Sequence, residues 1–200
     1  MKLYYAPGAC SLSPHIVSEE AGVPVDLVKV DLKAHTLEDG SDFHKINPKG
    51  SVPALVLDSG ELLTEGPAIV QYLADQNPES GLAPPCGTLP RYHLQEWLTF
   101  INGEIHKTFG PLFHGAAGEE RKKIVETLEQ RFAFPDRTLV SQPFLLGDTF
   151  TAADAYLFVM LTWATKMHIT VPPSLALFFE RVIARPKVQA AMKAEGLVKH

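Results

Sequence analysis

Between residues 78 and 90 the chain reads PESGLAPPCGTLP, four prolines and two glycines in thirteen positions. Proline removes a backbone N–H and fixes φ, and glycine adds backbone entropy that an ordered element must overcome, so no helix or strand crosses this stretch. It therefore divides the 200 residues into two parts, each of a size that builds its own core. The expected organisation is a first domain over residues 1–78, a linker over 79–88 and a second domain over 89–200.

The two parts carry different periodicities. In the first, Lys2 to Tyr5 is a short strand, Pro7-Gly8 a turn, and Ser11 to Ala21 a helix closed by Gly22 and Pro24. Val25 to Asp31 alternates apolar and polar residues, as a half-buried strand does. Ala54 to Leu57 and Leu62 to Leu63 flank the hairpin turn Asp58-Ser59-Gly60. Pro67 suits the first turn of a helix whose apolar stripe is Ile69, Val70 and Leu73. The order β-α-β, then β-β-α, predicts a mixed sheet with helices on it. Beyond the linker every pattern is helical: Leu89 to Phe113, Arg121 to Leu139, Thr151 to Met167, Leu175 to Ala184 and Val188 to Lys193. Thr151 to Met167 is apolar nearly all round and should be the buried central helix. Pro135 falls within Arg121 to Leu139, where the lost hydrogen bond and the ring clash predict a kink or an early end. The fold class is α+β, with an all-helical second part.

Net charge is −5 and pI about 5.9, without the basic excess that nucleic acid or a membrane surface requires. No apolar run of about 18 residues is present, and the N-terminus lacks the apolar stretch of a secretory signal, so a cytoplasmic chain is expected. The two cysteines, Cys10 and Cys86, are no disulfide framework; two thiols suit a reducing compartment, and one bridge between them stays open. The eight histidines show no metal-binding spacing, so no metal is expected.

Four places carry candidate chemistry. Cys10-Ser11 lies between the first strand and the first helix, where unpaired N–H groups and the dipole favour a thiolate or another anionic sulfur nearby. Three residues on stands Ser13, so this thiol can form a mixed disulfide with a small thiol but has no partner to resolve it. An inert buried cysteine is the competing reading. Val52-Pro53 precedes a strand; a cis bond there would turn the Val52 N–H and C=O toward a ligand, whereas a trans bond makes it an ordinary loop proline. Thr64-Glu65-Gly66 precedes a helix N-terminus, where a ligand carboxylate could meet N–H groups while Glu65 takes an ammonium, unless Glu65 merely complements the dipole. Thr99, Asn102, Gly103, His106 and Gly110 share one small, polar helix face, either a groove with His106 as hydrogen-bond donor or a solvated surface. Thr151 and Asp154 form a capping-box pair, a structural role for Asp154 in which the first helical N–H groups serve its carboxylate.

Taken in order, the motifs Cys-Ser at a helix start, Asn-Pro-Lys-Gly-Ser-Val-Pro before a strand, Glu-Gly-Pro-Ala-Ile-Val-Gln-Tyr-Leu, Glu-Ile-His-Lys and Gly-Asp-Thr-Phe-Thr-Ala-Ala-Asp-Ala-Tyr resemble the bacterial beta-class glutathione transferases over essentially the whole chain. The resemblance implies a thioredoxin-like N-terminal domain, an all-helical C-terminal domain, a homodimer, and no cofactor beyond glutathione as co-substrate. It implies a cis bond before Pro53, with Val52 pairing to the glutathione backbone, and Glu65 and Gly66 on its γ-glutamyl end. Cys10 would lie at the glutathione sulfur. Thr99, Gly103, Glu104 and His106 match positions near the tripeptide and the electrophile, Glu104 reaching the partner subunit's glutathione. His35 stands where the family usually has a lysine for the glycine carboxylate, and Thr99 where it often has asparagine. The implied reaction is attack of the glutathione thiolate on a small hydrophobic electrophile held between the domains. The N–H groups near Cys10 and Ser11 and the side chain of His106 would stabilise the sulfur, with Tyr5 a further candidate. Thiol–disulfide exchange or peroxide reduction through Cys10, and a non-enzymatic ligand- or protein-binding role, are the alternatives.

Overall fold

The computed structural model describes residues 1–198. The elements run β1 (Lys2–Tyr5), α1 (Leu12–Ala21), β2 (Asp26–Asp31), β3 (Thr36–Leu37), β4 (Ala54–Val56), β5 (Leu62–Thr64), α2 (Gly66–Asp75), α3 (Leu89–Phe100), α4 (Lys107–Phe113), α5 (Gly118–Leu139), α6 (Ala152–Lys166), α7 (Pro173–Ile183) and α8 (Pro186–Ala194). Short 3₁₀ turns occupy Phe43–Lys45 and Pro78–Ser80. Two compact units result: Met1–Ala83 together with the stretch from Ala184, and Pro84–Ile183. No helix of the described residues is long and apolar enough to cross a membrane.

The first unit is built on a five-stranded sheet in the order β3-β2-β1-β4-β5. β1 and β2 are parallel, joined by α1, and the other pairs are antiparallel. This is the expected mixed sheet; the two-residue β3 carries too little pattern to be read from sequence. Leu3 and Leu55, paired across β1 and β4, are fully buried on one face. Tyr4 and Ala54, on the other, join Val30, Val52 and Phe43 in a second apolar cluster. Helix α1 packs against both α2 and α8, which explains why Leu12 through Ser18 are buried without a polar stripe. Gly22, at φ 66°, ends α1: its N–H donates to Glu19 and the N–H of Val23 to Ser18, satisfying the last carbonyls.

The second unit is helical throughout, and α6 is buried along nearly its whole length. Two expectations need correction. First, Leu89 to Phe113 is not one regular helix. Ile101–His106 is a π-helical turn between α3 and α4, one residue per turn wider than its neighbours. Second, of the kink or early end expected at Pro135, the early end does not occur: α5 continues to Leu139. The missing proline N–H removes one bond to the preceding turn, but Leu128, Phe132, Pro135 and Leu139 are buried along one side and hold the helix together past it. Ahead of α6, the carboxylate of Asp154 accepts from the Thr151 N–H (2.8 Å), the Thr151 hydroxyl (2.7 Å) and the Leu145 N–H (2.8 Å). Its partners are thus the cap residue and the preceding loop rather than the first helical N–H groups. Complete burial still pushes its pKa up to about 6 against these bonds.

Candidate active site

In the first unit, chemistry gathers where β1 runs into α1. Ser11 is fully buried, and its hydroxyl donates to the Ala6 carbonyl (3.3 Å) while accepting from the Ala6 N–H (3.2 Å). Its side chain closes the loop that presents Cys10. Gly8 and Glu195 secure the same loop from the other side. The Gly8 N–H donates to Glu195 Oε2 (2.9 Å), and His15 Nδ1 donates to Glu195 Oε1 (2.9 Å), with both side chains buried.

Cys10 is half-buried, and its thiol donates to the carbonyl of Val52 at 3.2 Å. The Val52–Pro53 bond is cis. Burial pushes the Cys10 thiol from its ordinary 9.0 up to about 12. The N–H groups of Cys10 and Ser11 pull it down, and the Glu65 carboxylate pushes it up further. At Cys10 itself burial opposes the thiolate that the helix start favours. Loss of water outweighs the helix N–H groups, and the sulfur keeps its proton. Tyr5 is buried beside His15; burial, then the charges of Glu195 and Glu38, raise its pKa as well.

Glu65 precedes α2 at φ 71°, a conformation that costs a non-glycine residue about 1–3 kcal/mol. Gly66 and Pro67 then open the helix, and the Glu65 carbonyl accepts from the N–H groups of Ala68 and Ile69. The Glu65 carboxylate receives Lys49 Nζ at 2.6 Å, and Lys49 also reaches the Thr64 hydroxyl at 3.0 Å. Sequence reasoning passed over Lys49, which lies within the Asn-Pro-Lys-Gly motif and carried its own signal as a cation next to a conformational motif.

His35, also at positive φ (54°), bonds through Nδ1 to the Gly50 carbonyl (3.1 Å) and packs its ring 4.5 Å from that of His44. Gly50 has φ 65°, and a Cβ there would stand 2.7 Å from His44 Nε2 and 3.1 Å from His35 Nδ1. Glycine is thus favoured at this position by its backbone, with two imidazoles crowding the place a side chain would take.

In the second unit the wide turn at Ile101–His106 carries part of the polar face. Asn102 and His106 converge on the hydroxyl of Tyr156 from α6: His106 Nδ1 lies 2.6 Å from it, and it donates to Asn102 Oδ1 at 2.8 Å. Trp163 packs edge-on against the His106 ring at 5.0 Å, and Phe109 and Phe113 pack edge-on against Trp163. Burial drops the His106 pKa to about 4, so the imidazole is neutral at pH 7. The solvated-surface reading of His106 is excluded. Thr99 turns its hydroxyl back to the Gln95 carbonyl (2.7 Å), Gly103 is exposed, and Glu104 pairs with Arg131 of α5 at 3.0 Å. Tyr156 escaped notice because it reads as one more core residue of an apolar helix.

Two family descriptions match the chain: the N-terminal domain of glutathione S-transferase over residues 8–76 and its C-terminal domain over residues 114–194. Glutathione S-transferase GstA of Escherichia coli O157:H7 is 47% identical, across 98% of this chain and 100% of that protein. The structure of a ternary complex of BphK, a bacterial GST, superposes with a TM-score of 0.95 at 51% identity, covering 98% of this chain and 100% of that one. A bacterial beta-class glutathione S-transferase from Sphingomonas chungbukensis gives 0.92 at 46%, covering 99% and 100%. A thioredoxin-like sheet with a cis proline beside a helix-start cysteine, followed by a helical unit and matched at this identity over its length, places the chain in the glutathione S-transferase family, with the bacterial beta-class members.

Proposed function

We propose that this protein is an enzyme that joins glutathione to small hydrophobic electrophiles. Glutathione lies on the first unit, its backbone against Val52 and its γ-glutamyl end at Glu65, Gly66 and Lys49, while His35 faces its glycine carboxylate. The observation that carries this reading is the strained Glu65 beside the Cys10–Val52 contact. A positive φ at a non-glycine residue is retained where it serves a site.

Sulfur activation follows from the proton on Cys10. A thiol held near pKa 12 stays protonated at pH 7 and can donate to a glutathione thiolate, together with the N–H groups at the start of α1. The thiolate lone pair forms the new C–S bond, and the leaving group departs with the electrons of the bond it breaks. The aromatic cluster of Phe109, Phe113 and Trp163, beside His106, suits an apolar electrophile; Phe113 is 50% exposed and open to contact. A homodimer in the cytoplasm is the working form, with residues 1–78 holding glutathione, 79–88 linking and the helices from 89 serving the electrophile, except the stretch from Ala184, which packs with the first unit.

A second chemistry rests on Cys10 standing without a resolving partner at Ser13. Oxidised glutathione forms a Cys10 mixed disulfide and releases one glutathione thiolate; a second glutathione thiolate reverses it. Purified protein is titrated with glutathione, assayed for conjugation to an aromatic halide and sized by sedimentation. Saturable binding with turnover is expected from a dimer. Conjugation that survives in Cys10→Ser while the mixed disulfide disappears establishes conjugation as independent chemistry. Absence of glutathione binding refutes the assignment and leaves a binding role on the same fold.

A further inference from the structure

Two imidazoles meet beside Gly50, all three residues lying in the first unit. The Asp31 carboxylate accepts from the N–H groups of Lys33 and Ala34 (2.8 and 3.0 Å), and the turn this closes leads to His35 at φ 54°. His35 Nδ1 lies 3.1 Å from the Gly50 carbonyl, and His44 Nδ1 lies 3.2 Å from Asp42 Oδ1. A carbonyl and an ionised carboxylate only accept, so each Nδ1 carries the hydrogen. In a neutral imidazole the other nitrogen is then bare. Neither Nε2 has a hydrogen-bond partner among the described residues. Each ring can therefore offer a further N–H only by taking up a proton. The rings converge on one place: a Cβ at Gly50 would stand 2.7 Å from His44 Nε2 and 3.2 Å from His35 Cε1. Their centroids are 4.5 Å apart, so two positive charges here repel until an anion joins them.

We propose that His35 and His44 form a proton-operated clamp for the glycine carboxylate of glutathione, in which binding of that carboxylate draws a proton from solvent onto Nε2. This inference rests on the reading that glutathione lies along Val52 with its glycine carboxylate at His35. The surrounding charges leave the pair evenly poised. Asp42 supports a charge on His44, and Asp31 supports one on His35. Lys33, whose charge reaches Asp31, and Lys45, whose charge reaches Asp42, oppose both. Lys49, next to Gly50, is held by Glu65 at 2.6 Å and Thr64 at 3.0 Å. The incoming carboxylate decides the balance, because it supplies both the opposite charge and the acceptor that a new Nε2–H needs. A lysine at position 35 would keep its charge across the neutral range, whereas imidazole chemistry changes charge between pH 5 and 8 and makes affinity follow pH.

S-Methylglutathione, whose sulfur carries no proton, isolates the carboxylate from the thiol. Calorimetric titration in two buffers of different ionisation heat counts the protons taken up. The wild type should take up about half a proton or more near pH 7 and bind about tenfold more tightly at pH 6 than at pH 8. His35→Gln keeps an N–H for the Gly50 carbonyl but cannot charge; its uptake should vanish and its Kd should stay level within about twofold. His44→Gln should lose about half of the gain between pH 8 and pH 6. His35→Lys should bind at pH 8 as tightly as the wild type does at pH 6, without uptake, a gain that a damaged fold cannot produce. Binding with no uptake and a level wild-type Kd overturns the clamp and leaves the glutathione reading intact. Uptake that persists in His35→Gln puts the proton elsewhere, and a wild-type response in His44→Gln breaks the pairing; either overturns the proposal. Absence of binding at every pH removes the glutathione reading and the clamp with it.

Discussion

The raised pKa of Cys10 makes a quantitative prediction about its reactivity. Removing Cys86 by substitution to serine leaves Cys10 as the one thiol of the chain. With a pKa of about 12 against an ordinary 9.0, its thiolate fraction at pH 7 is about 10⁻⁵ rather than about 10⁻², a loss of roughly three decades. A more basic thiolate is a better nucleophile, and a Brønsted slope of about 0.4–0.5 returns some 1.3 decades. The net expectation is exchange about 50-fold slower than an unhindered cysteine peptide, before any shielding by the half-buried site. Dithiodipyridine, with release of thiopyridone followed against N-acetylcysteine under the same conditions, provides the assay. The rate at Cys10 should climb about tenfold per pH unit from 6 to 10 without levelling. A plateau below pH 9, or parity with the peptide at pH 7, would mean that the N–H groups at the start of α1 prevail over desolvation. The account of Cys10 as a proton donor would then fall.

Three further outcomes are expected. Glu65→Gly relieves a positive φ and should raise the urea midpoint by an amount equivalent to about 1 kcal/mol while weakening glutathione binding measured calorimetrically; a stabilised variant with unchanged affinity would remove Glu65 from the site. Gly50→Ala should cost about 1–2 kcal/mol, since φ 65° disfavours alanine, whereas the half-exposed His44 can swing clear of the added methyl. His106 has a folded pKa of about 4, below the 6.5 of an unfolded histidine, so the folded state resists its protonation. The associated stability is present above pH 6.5 and lost as pH falls toward 4, to a limit of about 3 kcal/mol. His106→Gln should lack that acid limb in denaturation curves, and an identical loss in both proteins would assign it elsewhere.

Several residues of the candidate site stood out in the sequence because they sit at punctuated places. Pro7-Gly8 announces the turn before Cys10, and the spacing of Asn47, Gly50 and Pro53 announces a conformationally special loop. The identity of the elements was equally readable from periodicity. What could not be read depends on three-dimensional context. Glu65 takes a conformation that its own chemistry disfavours, so propensity points the wrong way. The turn at Ile101–His106 uses ordinary helix formers and leaves no local signature. Tyr156 hides in the apolar run of α6, because a hydroxyl at the rim of a core residue does not alter hydropathy enough to break the pattern. The Cys10 thiol was only partly legible for a related reason: a helix start is visible in sequence, whereas the depth of burial that opposes it is not.

The position of α8 has a bearing on how the chain assembles. Residues 184–195 supply Glu195, which clasps Gly8 and His15, and Arg185, whose guanidinium meets the Glu20 carboxylate at 2.6 and 2.8 Å. The loop that carries Cys10 is therefore finished by a segment about 185 residues further along the chain. A nascent chain can pair its five strands early, but the wall behind α1 arrives only after the whole helical unit has been made. Joining those ends across roughly 100 unstructured residues would cost about 4 kcal/mol of chain entropy. A chain truncated at Ile183 should retain its sheet yet present Cys10 on a loosened loop, its sulfur more open to disulfides than in the 200-residue chain.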